Sequence, residues 1–205
     1  MGRMRQWLNR HQVAVTLTVI VGLAFLLRIE SFIGFGYDGD DVPYAELAHS
    51  ITIGRFLEAN QQTTLIYPAR IGLLFPAAVA FKLFGVSERS LGVYPLLVSL
   101  AGILIAYAAG RVFFNERVAI LAATLHAFLP VDVRYGTLLY PDPPGALWLN
   151  VAILLIYAES QRGFPRRSRI MIGLLAGFSL GLSWLSKEAL VYSLPFIAGW
   201  LLWTV

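Results

Sequence analysis

Cysteine is absent from this chain of 205 residues, and charged side chains are scarce. Without cysteine, the chain forms no disulfide, has no thiolate nucleophile and binds no metal through sulfur. Only 14% of the residues are charged, whereas 58% are hydrophobic. Soluble domains carry about 25% charged residues. The composition therefore places the chain among integral membrane proteins.

The basic residues show where the chain leaves the membrane rather than where it binds a polyanion. Sixteen Lys and Arg against twelve Asp and Glu give a net charge of +4, and these cations collect in short loops between apolar runs. Lys and Arg residues confined to short loops indicate the membrane topology rather than a nucleic-acid-binding surface, so we expect no nucleic-acid partner. Arginines precede the first apolar run, and no small-residue cleavage site follows it. We therefore expect a retained anchor with a cytoplasmic N-terminus.

Long apolar runs predict the fold class. A helix needs about 20 predominantly apolar residues to cross a bilayer, and the chain contains several runs of about this length. We therefore expect one all-α integral membrane module over residues 1–205, with about six transmembrane helices. Arg28 and Glu30, near the end of the first run, are expected to snorkel to the interface or to pair with each other. The expected spans are residues 13–33, 91–110, 118–135, 145–158, 170–186 and 189–205.

The apolar segment 69–86 decides which side each later loop faces. Its Arg70, Pro76 and Lys82 are typical of an interfacial or re-entrant helix rather than a full span. If the segment stays on the outer surface, all the arginine-rich loops face the cytoplasm, as the positive-inside rule requires. We therefore expect a first outer loop with juxtamembrane helices at residues 35–90, and a second outer loop at residues 130–144.

The first outer loop is expected to contain a helix of its own. Pro43 can open that helix, and Tyr44, Leu47, Ala48 and Ile51 recur at helical spacing.

The first expected outer loop begins with a cluster of acids, Asp38, Asp40 and Asp41, on either side of Gly39. Such carboxylates could hold Mg²⁺ or Mn²⁺, or one of them could act as a general base. Alternatively, they belong to a solvated loop in which Asp41 caps the helix that Pro43 opens.

Asp142 lies between prolines in the second expected outer loop, where it is either a site carboxylate or the cap of the next span. Three cations share this outer side, and each could instead be an interface anchor or mark a turn. They are Arg70, Arg134 and Lys187. Together, acids that activate an acceptor and cations that neutralise a leaving phosphate suit group transfer from a phosphate-linked donor. The membrane setting makes a lipid the expected carrier of that donor.

These motifs resemble the GT-C glycosyltransferases, in particular the branch of protein O-mannosyltransferases and lipid A aminoarabinose transferases. The run Asp-Asp-Val-Pro-Tyr-Ala-Glu-Leu-Ala that begins at Asp40 is similar to the acidic motif of that branch's first outer loop. The run Phe-Lys-Leu-Phe-Gly that begins at Phe81 resembles the end of its surface helix. Ser186-Lys187-Glu188 resembles a Thr-Lys-Gly segment of the family, with Glu in place of the usual Gly.

The resemblance implies roles for these residues. Asp40 matches the catalytic acid, with Asp41 as its neighbour and Asp142 as the acid of the second loop. Lys187 and Arg70 match residues that meet the donor phosphate, and we add Arg134 as a third cation. A divalent ion, Mg²⁺ or Mn²⁺, is expected at Asp40 and Asp142.

The expected function is an inverting transfer of a sugar from a polyprenyl-phosphate donor to an acceptor protein or glycolipid. The active site would face the outside or periplasm of the plasma membrane. Family members are much longer, so we expect that the C-terminal part is missing or that a partner subunit completes the site. Two alternatives stay open: a transporter or lipid flippase, and a non-catalytic subunit of a glycosyltransferase complex.

Overall fold

The computed structural model describes residues 2–34, 39–61, 66–161 and 164–204, with side chains from residue 11 onward except those of residues 201, 203 and 204. Asp38 lies outside the described residues. Every regular element in the described part is helical, as expected. The α-helices are α1 (Gly2–Glu30), α2 (Asp41–Thr52), α3 (Phe56–Gln61), α4 (Ile71–Phe84), α5 (Glu88–Phe113), α6 (Glu116–Phe128), α7 (Pro130–Tyr135), α8 (Asp142–Gln161), α9 (Arg166–Ser186) and α10 (Leu194–Thr204), and two 3-10 helices cover Tyr67–Ala69 and Glu188–Ser193.

Three helices in the described part are long and apolar enough to cross a membrane. They comprise residues His11–Glu30 of α1, all of α5 and all of α9. This agrees with an all-α membrane fold, whereas the expected count of six spans stays a prediction.

Two of the expected spans are divided in the structure. The expected span 118–135 is wrong as a single helix, because α6 ends at Phe128 and α7 begins at Pro130. Leu129 between them is extended, with φ −63° and ψ 121°, since a residue that precedes proline is driven out of the helical region. The expected span 189–205 likewise begins with the 3-10 helix Glu188–Ser193 before α10 starts.

Capping residues define the hairpin of α5 and α6. Ser87 accepts a hydrogen bond from the backbone N–H of Ser90, and the Ser90 hydroxyl in turn accepts one from the backbone N–H of Ser87. Asn115 caps α6 by accepting from the backbone N–H of Arg117 and of Val118 at 3.0 and 3.1 Å. These caps satisfy backbone donors that a helix start leaves unpaired, so they stop one helix and start the next.

Helix α4 is the segment that decides the topology. It has 14 residues, which at 1.5 Å per residue is about 21 Å and less than the hydrocarbon thickness. Leu73, Leu74 and Phe81 of α4 pack in one buried cluster with Tyr44 and Leu47 of α2. The amphipathic spacing that predicted a helix in the first outer loop is thus confirmed, and this cluster holds the loop against the spans.

A second buried cluster joins α1, α5 and α6. Arg28 of α1 is fully buried beside it. Its Nε donates to the Ser99 hydroxyl at 2.7 Å, and its Nη1 donates to the carbonyl of Ala127 at 3.0 Å. The expectation that Arg28 snorkels or pairs with Glu30 is therefore wrong, since neighbouring helices supply its partners.

Candidate active site

A glycine turn and the start of α2 position the first two acids. Gly39 has φ +80°, a conformation that favours glycine, and Asp40 directly precedes α2. Asp41 is fully buried in the first turn, and its Oδ1 accepts from the backbone N–H of Val42 at 3.1 Å. The expectation that Asp41 caps α2 is wrong: Asp40 occupies the cap position, and its side chain makes no capping bond.

The Asp40 carboxylate is engaged by a tyrosine. The Tyr67 hydroxyl donates to Asp40 Oδ1 at 2.8 Å, and this hydrogen bond to a carboxylate is the main reason that the pKa of Tyr67 is raised. The Tyr67 ring packs edge to face with the Tyr44 ring, with 4.9 Å between centroids. The 3-10 helix Tyr67–Ala69 therefore fixes the geometry of Asp40.

Arg70 links the two tyrosines to Glu188, which is 118 positions later in the sequence. Its Nε and Nη2 donate to the two carboxylate oxygens of Glu188 at 2.9 and 2.7 Å, and its Nη1 donates to the Tyr44 hydroxyl. The guanidinium carbon lies 5.7 Å from the Tyr44 ring centre and 5.9 Å from the Tyr67 ring centre. Both rings lie within the range of cation–π attraction.

The charges of this network are mutually stabilising. The hydrogen bonds from Arg70 lower the pKa of Glu188, and those to Glu188 raise the pKa of Arg70. Burial, more than any neighbouring charge, raises the pKa of Tyr44 to about 12. Glu188 and Arg70 are therefore charged at neutral pH, and Tyr44 is protonated.

A second ion pair adjoins the first. Lys187, which follows α9, donates through Nζ to the carboxylate of Asp142, the first residue of α8. Because Lys187 and Glu188 are neighbours in sequence, the two pairs tie α8, α9 and the first loop together. We call this group of bonded side chains the polar network. Its members are Asp40, Tyr44, Tyr67, Arg70, Glu188, Lys187 and Asp142.

A cavity of about 570 Å³ lies between α5, α6, α7 and α8, and the polar network borders it through Asp142. Asp142 and Tyr140 line it near the start of α8, and Gly102, Ala106 and Ala109 line it along α5. The cavity wall is thus mostly apolar and carries a few polar groups, among them Asp132 and Asp142. This is the arrangement that suits an amphiphile.

A family model described as dolichyl-phosphate-mannose-protein mannosyltransferase matches residues 71–205 of the chain. The chain belongs to this family. The match confirms the resemblance to the GT-C glycosyltransferases and their lipid A modification branch.

The chain is also similar to bacterial proteins named undecaprenyl phosphate-alpha-4-amino-4-deoxy-L-arabinose arabinosyl transferase. The protein of Pseudomonas paraeruginosa is 24% identical over 96% of this chain and 36% of its own length. That of Pectobacterium carotovorum is 31% identical over 49% of this chain and 18% of its own length, and that of Aeromonas salmonicida is 32% identical over 48% and 18%. The chain thus spans about a third of the length of the relatives that it matches most fully. No solved structure matches it.

The structure brings five of the six expected site residues together at one end of the helices. Asp40 and Arg70 belong to the polar network through Tyr67 and Tyr44, Asp142 and Lys187 pair directly, and Asp41 is buried next to Asp40. Arg134, the sixth, is exposed on α7.

Sequence reasoning missed three members of the polar network: Tyr44, Tyr67 and Glu188. The motif that begins at Asp40 contains Tyr44 without a role for it, and Glu188 is only a departure from the usual glycine in its own motif. The position of Tyr67 three residues before Arg70 in Tyr67-Pro-Ala-Arg70 was the available signal for one of them.

The expected divalent ion finds no complete set of protein ligands in the described part of the chain. No group of three or more His, Asp or Glu side chains there is arranged to hold a metal. The Asp142 carboxylate is instead balanced by the ammonium group of Lys187. A metal at Asp40 and Asp142 stays a prediction.

Proposed function

We propose that this chain forms the donor-binding and catalytic end of a membrane glycosyltransferase. It would transfer a sugar from a polyprenyl-phosphate-linked donor to a hydroxyl or amine of an acceptor protein or glycolipid. The observation that carries the proposal is the polar network, in which three carboxylates and two cations meet beside a largely apolar cavity that Asp142 lines. The names of the relatives support the donor class, since each name includes undecaprenyl phosphate, a polyprenyl phosphate, together with a sugar.

Asp40 is the proposed general base. Its carboxylate takes the proton of the acceptor hydroxyl or amine while that oxygen or nitrogen attacks the sugar carbon bonded to phosphate. The carbon–oxygen bond to phosphate breaks, the electron pair leaves with the polyprenyl phosphate, and attack from the opposite side inverts the configuration. Tyr67 holds the carboxylate by its hydrogen bond at 2.8 Å, and positioned proton transfer contributes about 10² to 10⁴ in rate.

Lys187 and Arg70 are the proposed ligands of the departing phosphate. Cations fixed before the reaction stabilise the charge that develops on a leaving phosphate without reorganising at that moment. Asp142 holds the Lys187 ammonium group through their ion pair. The buried Asp41 supports the first turn of α2, which Asp40 precedes. Arg134 is the proposed contact for the lipid head at the membrane surface, and the prenyl chain would follow the cavity along α5. No step of this scheme depends on the predicted Mg²⁺ or Mn²⁺.

Orientation follows from charge. With the N-terminus and the arginines at 111, 117, 166, 167 and 169 in the cytoplasm, the polar network faces the outer or periplasmic side of the plasma membrane. Reporter fusions after Glu116 and after Gln161 test this proposal. Both fusions should give cytoplasmic signals, and an outside signal at Gln161 would contradict the orientation.

Asp40→Asn is the direct test of the catalytic assignment. We expect transfer from a polyprenyl-phosphate sugar to fall by about 10² or more, because the amide is no base, while donor binding and thermal stability stay close to those of the wild type. Glu58→Gln, which removes an exposed acid of the same loop, is the matched control and should keep the wild-type rate. A near wild-type rate for Asp40→Asn would contradict the base role and favour a non-catalytic subunit.

A further inference from the structure

We propose that Glu188 is a built-in competitor of the donor phosphate: its carboxylate covers the binding edge of Arg70 in the resting protein, and the phosphate displaces it. This inference rests on the proposed function, because it takes Arg70 as a phosphate ligand. It assigns a role to the residue at which this chain departs from the family pattern.

The geometry of the pair is that of an anion already bound. Arg70 Nε and Nη2 make two parallel hydrogen bonds to the two oxygens of Glu188, at 2.9 and 2.7 Å. This fork of two N–H donors is the same feature by which arginine binds phosphate. A phosphate that uses the same fork therefore has to replace the Glu188 carboxylate.

The two partners differ in their freedom to move. The Arg70 side chain is 11% exposed, whereas that of Glu188 is 40% exposed. Arg70 is also held by the Tyr44 hydroxyl and lies against the rings of Tyr44 and Tyr67. Glu188 is the first residue of the short 3-10 helix Glu188–Ser193. Exchange of anions at Arg70 therefore requires movement of Glu188 alone.

Competition by Glu188 has two consequences. A neutral lipid cannot displace the carboxylate, so the covered edge of Arg70 favours lipids that carry a phosphate. After transfer, the polyprenyl phosphate leaves as a more highly charged monoester, and the return of Glu188 to Arg70 lowers the cost of releasing it. Lys187, the neighbour of Glu188, is paired separately with Asp142, so it retains a cation at the site throughout.

Equilibrium binding of farnesyl phosphate to the purified protein in lipid nanodiscs tests the proposal, with farnesol as the uncharged probe. Glu188→Gln removes the charge and keeps the shape of the side chain. We expect about tenfold tighter binding of farnesyl phosphate, because the phosphate no longer competes with a carboxylate for the arginine fork, and unchanged binding of farnesol. In an Arg70→Met background the same substitution should have no effect. Glu58→Gln, which removes an exposed acid paired with Arg55, is the matched control and should leave both affinities unchanged.

The direction in which Glu188→Gln changes the affinity for farnesyl phosphate distinguishes competition from a purely structural role of the ion pair. If Glu188 only holds Arg70 in place, Glu188→Gln weakens or does not alter farnesyl phosphate binding, and either result overturns the inference while the proposed function stands. If wild type and Glu188→Gln both bind farnesyl phosphate no better than farnesol, Arg70 is not a phosphate ligand and the proposed donor class fails as well. If Glu188→Gln does not fold, Glu188→Asp replaces it. Its shorter side chain reaches the Arg70 fork less well, so the affinity for farnesyl phosphate should again rise.

Discussion

The chain buries two arginines in different ways. Arg28 lies within the first expected span and bonds to uncharged acceptors on three helices, which are Ser99, Ala127 and its own Ala24. Arg70 lies at the end of the helices and bonds to a carboxylate and a phenol. The first arrangement fixes three helices against one another, whereas the second keeps a cation next to the Glu188 carboxylate and the Tyr44 hydroxyl. Burial of a charge therefore does not by itself indicate a functional site, and the nature of its partners distinguishes the two cases.

The largest expected difference between the two arginines is in transfer. Arg70→Met should lower the transfer rate by about 100-fold, because a fixed cation no longer meets the leaving phosphate. Arg28→Met, which places an apolar side chain of similar length in the apolar interior, should keep a rate close to that of the wild type. Rates with a polyprenyl-phosphate sugar, measured on both purified variants, check this prediction. Equal losses in both variants would break the comparison.

The structural role of Arg28 is tested through its acceptor. Ser99→Ala leaves Arg28 Nε without its hydrogen bond at 2.7 Å, and a buried charged donor without a partner should cost about 1 to 3 kcal/mol of unfolding free energy. The matched control is Ser179→Ala, because Ser179 is also buried but donates only to the Leu175 carbonyl of its own helix. Unfolding of both variants in detergent measures the difference. Similar losses in the two would mean that Arg28 contributes little to helix packing.

The sequence predicted the parts of the site that are local. The spacing of Tyr44, Leu47 and Ala48 predicted α2, and these residues are buried in the cluster with α4. The family motif placed Asp40 at the head of that helix, and the charge pattern put Asp142 and Lys187 on the same side. Each of these inferences needed only a short segment and the positive-inside rule.

The sequence did not reveal which residues meet across the fold. Arg70 and Glu188 are separated by 118 positions, and Arg28 and Ser99 by 71. Such pairs depend on how the helices pack, so no local pattern indicates that Glu188 neutralises Arg70 or that Arg28 finds a hydroxyl inside the bundle. The break before Pro130, by contrast, was readable, since proline disfavours a helical residue before it.

The Tyr67 hydroxyl tests how the polar network around Arg70 positions Asp40. Tyr67→Phe keeps the ring contact with Tyr44 and removes the hydroxyl that donates to Asp40. Loss of one hydrogen bond to a charged group is worth about 1.5 kcal/mol, so we expect kcat to fall about tenfold, with donor affinity unchanged. Tyr192→Phe, at an exposed tyrosine of the neighbouring 3-10 helix, is the control. An unchanged kcat for Tyr67→Phe would show that Asp40 is positioned without it.

The smallest expected effect is the pH dependence of the Arg70 and Glu188 pair. The pKa of Glu188 is lowered in the folded state, chiefly by the hydrogen bonds from Arg70. The pair therefore contributes stability at pH values above the ordinary glutamate pKa, and this contribution is lost as pH falls through the lowered value. Because Glu188 is 40% exposed, solvent screening keeps the contribution below about 1 kcal/mol. Wild type and Glu188→Gln should thus differ by a small constant amount from pH 6 to 8 and converge in strong acid, when unfolding is followed across this range. A difference that instead grows as pH falls would mean that Glu188 is not held ionised by Arg70, and the contrast with the uncharged partners of Arg28 would then be lost.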